Sequence, residues 1–193
     1  MLLETGAEEA RRLNHLLENI LQMSKLDAGV AAPNKQWHVL EEIVGSALQR
    51  TEQELKQHDV QVDIPEGFPL VFVDGLLLEQ VFVNLMENAA RYTPPSTTIR
   101  ISATMNGSLA SLIVADDGPG LPPGSEERIF EKFYRATPTA DAGRGSGLGL
   151  AICRAIAKAH GGMITAHNRQ SGGAEFRLEL PMPQDVPEVD LNS

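Results

Sequence analysis

Asn84 and Asn88 stand one helical turn apart in Gln80-Val-Phe-Val-Asn84-Leu-Met-Glu-Asn88-Ala-Ala-Arg91-Tyr92-Thr93. Asparagine is a mediocre helix former, and solvated helix faces more often use Glu, Lys, Gln or Arg. Two amide oxygens on one face, with Arg91 beyond them, suit a hard cation beside a phosphate. A second group centres on Asp116, which follows Leu112-Ile-Val-Ala and precedes Asp117-Gly118-Pro-Gly120. A carboxylate at a strand end can accept a hydrogen bond from an exocyclic amine such as that of adenine. Taken alone, it is read more simply as a turn cap. The third group, Gly143-Arg144-Gly145-Ser146-Gly147-Leu148-Gly149-Leu150, leads straight into an apolar-periodic segment. Backbone N–H groups at a glycine-rich helix start make an anion site, and glycine allows close approach. Arg128, Lys132 and Arg135, between the last two groups, and Arg144, at the start of the third, are placed to neutralise phosphate from a flap.

Other phosphate motifs are excluded. The chain lacks GxxxxGK[ST], and Gly118-Pro-Gly120 is followed by Leu121-Pro122-Pro123-Gly124, which breaks the helix a dinucleotide fold requires.

The elements that must position these groups follow from periodicity. Val81, Phe82, Leu85, Met86 and Ala89 recur at helical spacing, and Pro94-Pro95 ends that helix. Residues 38–58 read as another helix and Leu148–His160 as a third, closed by Gly161-Gly162. Val60–Ile64, Leu70–Val73, Thr98–Thr104, Leu109–Ala115, Met163–Asn168 and Ala174–Leu180 read as strands. Elements come in groups rather than in strict βαβ alternation, which predicts an α+β fold: a mixed, largely antiparallel sheet with three helices on one face. Asp117 to about Gly145 is expected to be a lid docked by Ile129, Phe130, Phe133 and Tyr134. Residues 2–27 carry an apolar seam of Leu13, Leu16, Leu17, Ile20, Leu21 and Met23, which packs either on a helix of another chain or on the main domain.

The 193 residues suit one domain with an appendage, and a hydrophobic fraction of 42% can form a real core. A formal charge of −10 argues against nucleic acid and against anionic lipid as partners. Cys153 is the only cysteine, so no disulfide forms within the chain, and a cytosolic setting fits. No run of about 18 apolar residues is present.

Asn84-Leu-Met-Glu-Asn88-Ala-Ala-Arg91-Tyr92-Thr93, Asp116-Asp-Gly-Pro-Gly120, Ile129-Phe-Glu-Lys-Phe-Tyr-Arg135 and Gly145-Ser-Gly-Leu-Gly-Leu150 resemble the four ATP boxes of bacterial sensor histidine kinases, in the family's order and spacing. The resemblance covers residues 38–182. Phe72-Val-Asp-Gly75, Gly149-Leu-Ala-Ile-Cys-Arg154 and Thr165-Ala-His-Asn-Arg169 are most similar to the Kdp-type potassium sensors. It implies the two-layer α/β sandwich shared with gyrase-type, MutL-type and heat-shock-chaperone ATPases, binding ATP and Mg2+. Asn88 would be the magnesium ligand with Asn84 beside it, Asp116 would hold the adenine amine, Tyr92 would line the base pocket and Arg91 would contact phosphate. Gly118, Gly120, Arg144, Gly145, Ser146, Gly147, Leu148 and Gly149 would complete the nucleotide site, and Asn84 and Arg135 would be catalytic. Arg91 stands where many members have Lys, keeping the charge but changing the geometry. Hydrolysing relatives have Glu at the position of Asn84. An amide there cannot act as a general base, which favours transfer to a protein. A hydrolysing or partner-binding ATPase of the same fold is the alternative.

By the same resemblance, residues 1–29 are the second helix of a dimerisation hairpin, 30–37 a linker, 38–183 the ATP-binding domain and 184–193 an acidic, flexible tail. The partners implied are a second copy of the chain, through those helices, and a response regulator. The whole would be the cytoplasmic part of an inner-membrane sensor, with no direct membrane contact by these residues.

The family's phosphoacceptor histidine is followed by an acidic residue on a preceding helix. Of His15, His38, His58, His160 and His167, only His58 is followed by an acid, and it precedes a strand. These 193 residues are therefore expected to bind ATP without phosphorylating themselves. Incubation with radiolabelled ATP and an alkaline quench checks this. Stoichiometric acid-labile label lost in His15→Ala would place the acceptor within the chain.

Overall fold

The computed structural model describes residues 32–135 and 146–183. The expected helix over 2–27, Arg144 and Gly145 of the glycine segment, and the tail over 184–193 lie outside them. In chain order the elements are β1 (Gln36–His38), α1 (Leu40–Arg50), α2 (Glu52–Leu55), β2 (Asp59–Asp63), β3 (Val71–Val73), α3 (Gly75–Tyr92), β4 (Thr98–Asn106), β5 (Leu109–Asp116), a 3-10 turn (Arg128–Phe130), α4 (Gly149–Ala159), β6 (Met163–Asn168) and β7 (Ala174–Pro181).

The main sheet runs β2-β4-β5-β7-β6. Among the described strands only β2 and β4 pair in parallel; the other ladders are antiparallel, as the grouping of elements predicts. Alternation sets the buried face. Ile99, Ile101 and Ala103 of β4, Leu112 and Val114 of β5, and Phe176, Leu178 and Leu180 of β7 are all buried. Helices α1, α3 and α4 cover that face with Leu40, Ile43 and Val44, with Leu78, Phe82, Leu85 and Met86, and with Ile152 and Ile156. Each such side chain contributes about 1.5–3 kcal/mol by leaving water.

Two local expectations change. Residues 38–58 are not one helix: His38 lies in β1, and the helical run breaks at Thr51, whose Oγ1 donates back to the Ala47 carbonyl at 2.8 Å. Such back-bonding competes with helix continuation. The end of the expected linker is also structured. Gln36 and His38 pair with Val73 and Val71, and the rings of Trp37 and Phe72 meet at 5.1 Å.

That small ladder delivers the chain to the start of α3. Asp74 caps the helix, its Oδ1 accepting from Leu77 N at 3.2 Å and its Oδ2 from Asn34 N at 2.9 Å. Its own N–H donates to His160 Nε2 at 3.0 Å, while His160 Nδ1 sits 2.9 Å from the Ile156 carbonyl. These contacts define the neutral tautomer, with the proton on Nδ1. Lys35 Nζ donates to the His160 carbonyl at 2.9 Å.

Burial lowers the His160 pKa from its ordinary 6.5; the Ile156 carbonyl opposes this in part, the nearby Lys35 adds a smaller lowering, and Asp74 opposes least. The unfolded chain therefore binds the proton more readily. The stabilisation is complete above pH 6.5 and is lost as pH falls towards the folded-state value. The fall in Tm on acidification from neutrality should be smaller in His160→Gln than in the wild type. Burial likewise pushes the Cys153 thiol up to about 12. Iodoacetamide should leave the native chain unmodified and label it in urea.

Candidate nucleotide-binding site

Asp116 ends β5 and is 5% exposed. A buried carboxylate must be hydrogen-bonded to be tolerated. Its Oδ1 accepts from Gly118 N at 2.8 Å and from Ala174 N at 3.3 Å. Its Oδ2 takes no part in the hydrogen bonds among the described residues. The chain then turns through Gly120 at φ +79°, where an added Cβ would lie 2.5 Å from Asn168 Oδ1. Only glycine fits that backbone and that approach.

Helix α3 supplies the next group. Asn84 is 5% exposed, and both ends of its amide are engaged: Oδ1 accepts from Gln80 Nε2 at 2.9 Å, and Nδ2 donates to the Gly149 carbonyl at 3.1 Å. Asn84 thus ties the middle of α3 to the first residue of α4. Asn88, one turn on, is half-buried, and its amide makes no hydrogen bond among the described residues. Arg91 and Tyr92 are exposed in the last turn. Thr93 caps the end, its hydroxyl donating to the Ala89 carbonyl at 2.8 Å. It therefore accepts from His58 Nε2 at 3.0 Å, and His58 serves as a strut beneath the helix end. The Thr93 methyl packs so closely on Gly118 that a Cβ there would come within 2.5 Å.

At the glycine segment, Leu148 is buried and Ser146 Oγ accepts from its N–H at 3.2 Å. The first N–H groups of α4 follow directly. The Gly147 carbonyl accepts from Phe133 N at 2.9 Å, which ties the segment after the 3-10 turn to the residues just before α4.

The lid is anchored differently from the expectation. Ile129 and Phe130 are buried, Phe130 lying edge-on to Phe176, and Tyr134 is half-buried. Phe133 is 66% exposed, because a backbone at φ +64°, needed to reach Gly147, turns its side chain outward. Arg128 lies over the Tyr134 ring at 4.8 Å, and Arg154 lies over Phe130 while pairing with Glu127. Lys132 and Arg135 are exposed on the same segment.

The structure thus brings Asn84, Asn88, Asp116, Gly118, Gly120, Ser146, Gly147, Leu148 and Gly149 to one region through two links, Asn84 to Gly149 and Thr93 to Gly118. Sequence reasoning missed Asn168, Arg169 and Gly173, which hold the Asp116 turn from the β6–β7 loop. Locally they read as hairpin residues, and their partners lie 47 and 53 positions away. Among the described residues no cluster of three or more His, Cys, Asp or Glu is present to hold a metal. No described helix is long and apolar enough to cross a membrane.

Residues 73–184 match the family model described as histidine kinase-, DNA gyrase B- and HSP90-like ATPase. The chain is 47% identical over 175 residues to the sensor protein KdpD of Escherichia coli, covering 91% of this chain and 19% of that one. It thus spans about a fifth of that curated relative. Among solved structures it resembles full-length ShkA in complex with AMPPNP, with a TM-score of 0.79 and 26% identity over 94% of this chain and 38% of that one. It also resembles histidine kinase ThkA in complex with the response regulator TrrA, with a TM-score of 0.71 and 25% identity over 92% of this chain and 49% of that one. With a family model matching more than half its length and a site built from that fold's strand end and helix termini, the chain belongs to the histidine kinase-, DNA gyrase B- and HSP90-like ATPase family.

Proposed function

We propose that this chain is the ATP-binding catalytic part of a two-component sensor histidine kinase. It donates the γ-phosphoryl group of ATP to a histidine outside these residues, from which the group passes to a response-regulator aspartate. One observation carries the reading: a buried Asp116 with Oδ1 saturated by backbone donors and Oδ2 unengaged among the described residues, beside the exposed end of α3. An acceptor held in that way suits the exocyclic amine of adenine. Support also comes from the nucleotide analogue bound to ShkA, the regulator bound to ThkA and the identity to KdpD.

In this reading Gly118 and Gly120 let the turn approach the base, and Tyr92 flanks it. Arg91, Arg135 and Arg144 offset phosphate charge. Gly145, Ser146, Gly147, Leu148 and Gly149 present backbone donors at the start of α4. The amide oxygen of Asn88 fits Mg2+, which prefers oxygen ligands shared with phosphates. The Asn84 oxygen keeps a second lone pair beyond its bond to Gln80 and can stand beside it. Bound magnesium would neutralise phosphate charge. Phosphoryl transfer depends mainly on positioning and charge, and these residues supply both. The Asn84 amide offers no general base for water, which weighs against the hydrolysing alternative.

Residues 1–29 would pair with a second copy as a dimerisation helix, joined through 30–37 to the domain over 38–183. The whole would serve a potassium-responsive sensor of the Kdp type in the inner membrane, with this part on the cytoplasmic side.

Asp116→Asn should lower ATP affinity by about 1.5–3 kcal/mol, the worth of a charged hydrogen bond, or tenfold or more. Calorimetry with ATP and GTP tests the assignment. Equal affinity for both bases would remove the adenine role of Asp116, since guanine offers a carbonyl where adenine offers an amine.

A further inference from the structure

The loop between β6 and β7 holds the Asp116–Leu121 turn at both ends. At the first, Arg169 Nη1 donates to the Asp116 carbonyl at 2.9 Å and also to the Asp117 carboxylate. At the second, Asn168 takes both backbone groups of Leu121, Oδ1 accepting from its N–H at 2.6 Å and Nδ2 donating to its carbonyl at 2.9 Å. Between them, Gly173 at φ +85° lies so close that an added Cβ would sit 1.8 Å from the Asp116 carbonyl oxygen. The next residue, Ala174, gives its N–H to Asp116 Oδ1. The loop is closed on itself by Arg169 N donating to the Gly173 carbonyl at 3.0 Å.

Two things follow for Asp116. With its carbonyl held by Arg169 and Oδ1 held by Gly118 and Ala174, the direction of Oδ2 is determined from the loop side. Charge is also managed there. Asp116 and Asp117 are adjacent carboxylates in a chain of net charge −10, and an anionic nucleotide adds to the repulsion. Arg169, only 19% exposed, is the cation set against them.

We infer that Asn168 and Arg169 are positioning residues for the base end of the nucleotide site. Acting through Asp116, they set adenine affinity and the preference for adenine over guanine. The inference rests on the reading of Asp116 as the acceptor of the adenine amine.

Calorimetry of the wild-type chain, Arg169→Ala, Asn168→Ala, Asp116→Asn and the Arg169→Ala/Asp116→Asn pair tests it, with ATP and with GTP. Arg169→Ala and Asn168→Ala should each weaken ATP binding by about tenfold and GTP binding by less than about twofold. On the Asp116→Asn background, Arg169→Ala should add less than about a further twofold, because the two act as one unit. Since one nitrogen, Nη1, makes both side-chain bonds, Arg169→Lys should restore most of the affinity. Hydrogen exchange of the Gly118 and Ala174 amides, without nucleotide, should quicken in Arg169→Ala.

Wild-type ATP affinity with unchanged exchange in Arg169→Ala would overturn the inference, and so would equal losses for ATP and GTP. Should Arg169→Ala fail to fold, Asn168→Ala and Arg169→Lys carry the same comparisons. A wild-type chain that binds no ATP would instead overturn the nucleotide reading, and with it the base role assigned here.

Discussion

Burying one carboxylate shapes much of this domain. An ionised group at the end of a central strand costs several kcal/mol unless protein donors replace water. Asp116 obtains those donors from two directions, Gly118 in the turn that follows it and Ala174 at the start of β7. The first needs a tight turn, which the glycines permit. The second needs the β6–β7 loop to approach the strand end closely, which Gly173 permits. Satisfying one oxygen in this way leaves the other without a hydrogen bond among the described residues.

Helix α3 is the beam on which the remaining groups are mounted. Its 18 residues are pinned at the N-terminus by the Asp74 cap and at the C-terminus by Thr93. The Asp74 cap is in turn bonded to His160 and Asn34, so the incoming chain, the start of α3 and the end of α4 meet at one buried imidazole. Thr93 is braced by His58 from the edge strand side. In between, Asn84 reaches across to Gly149. The exposed side chains of α3 thus stand on a helix whose position both layers dictate.

The described part of the expected lid is anchored by a few contacts in the same way. Ile129 and Phe130 are buried against the domain, and Phe133 accepts an unfavourable backbone to bond with Gly147. A non-glycine residue at positive φ persists only when its surroundings over-determine it, and such residues cluster at functional segments. Fold does not fix function, so the reaction is decided by individual side chains rather than by the architecture.

Local pattern specifies the strands of the main sheet and most of the helices. Period-2 burial in residues 98–106 and 174–181 and helical spacing in 75–92 are local signals of which side must leave water. Asp116 with the glycines after it and the paired asparagines were legible for the same reason: residue type and spacing within a few positions carry the chemistry. Tertiary structure alone decided what those residues touch. It made Asn84 a tie between helices, turned Phe133 outward, recruited the expected linker into β1, and placed Asn168 and Arg169 on the Asp116 turn. Those contacts join positions from 33 residues apart, His38 and Val71, to 65, Asn84 and Gly149, or depend on backbone conformations stabilised by distant partners. No local pattern encodes such pairs, because hydrogen-bond partners across a fold are chosen by the packing of whole elements.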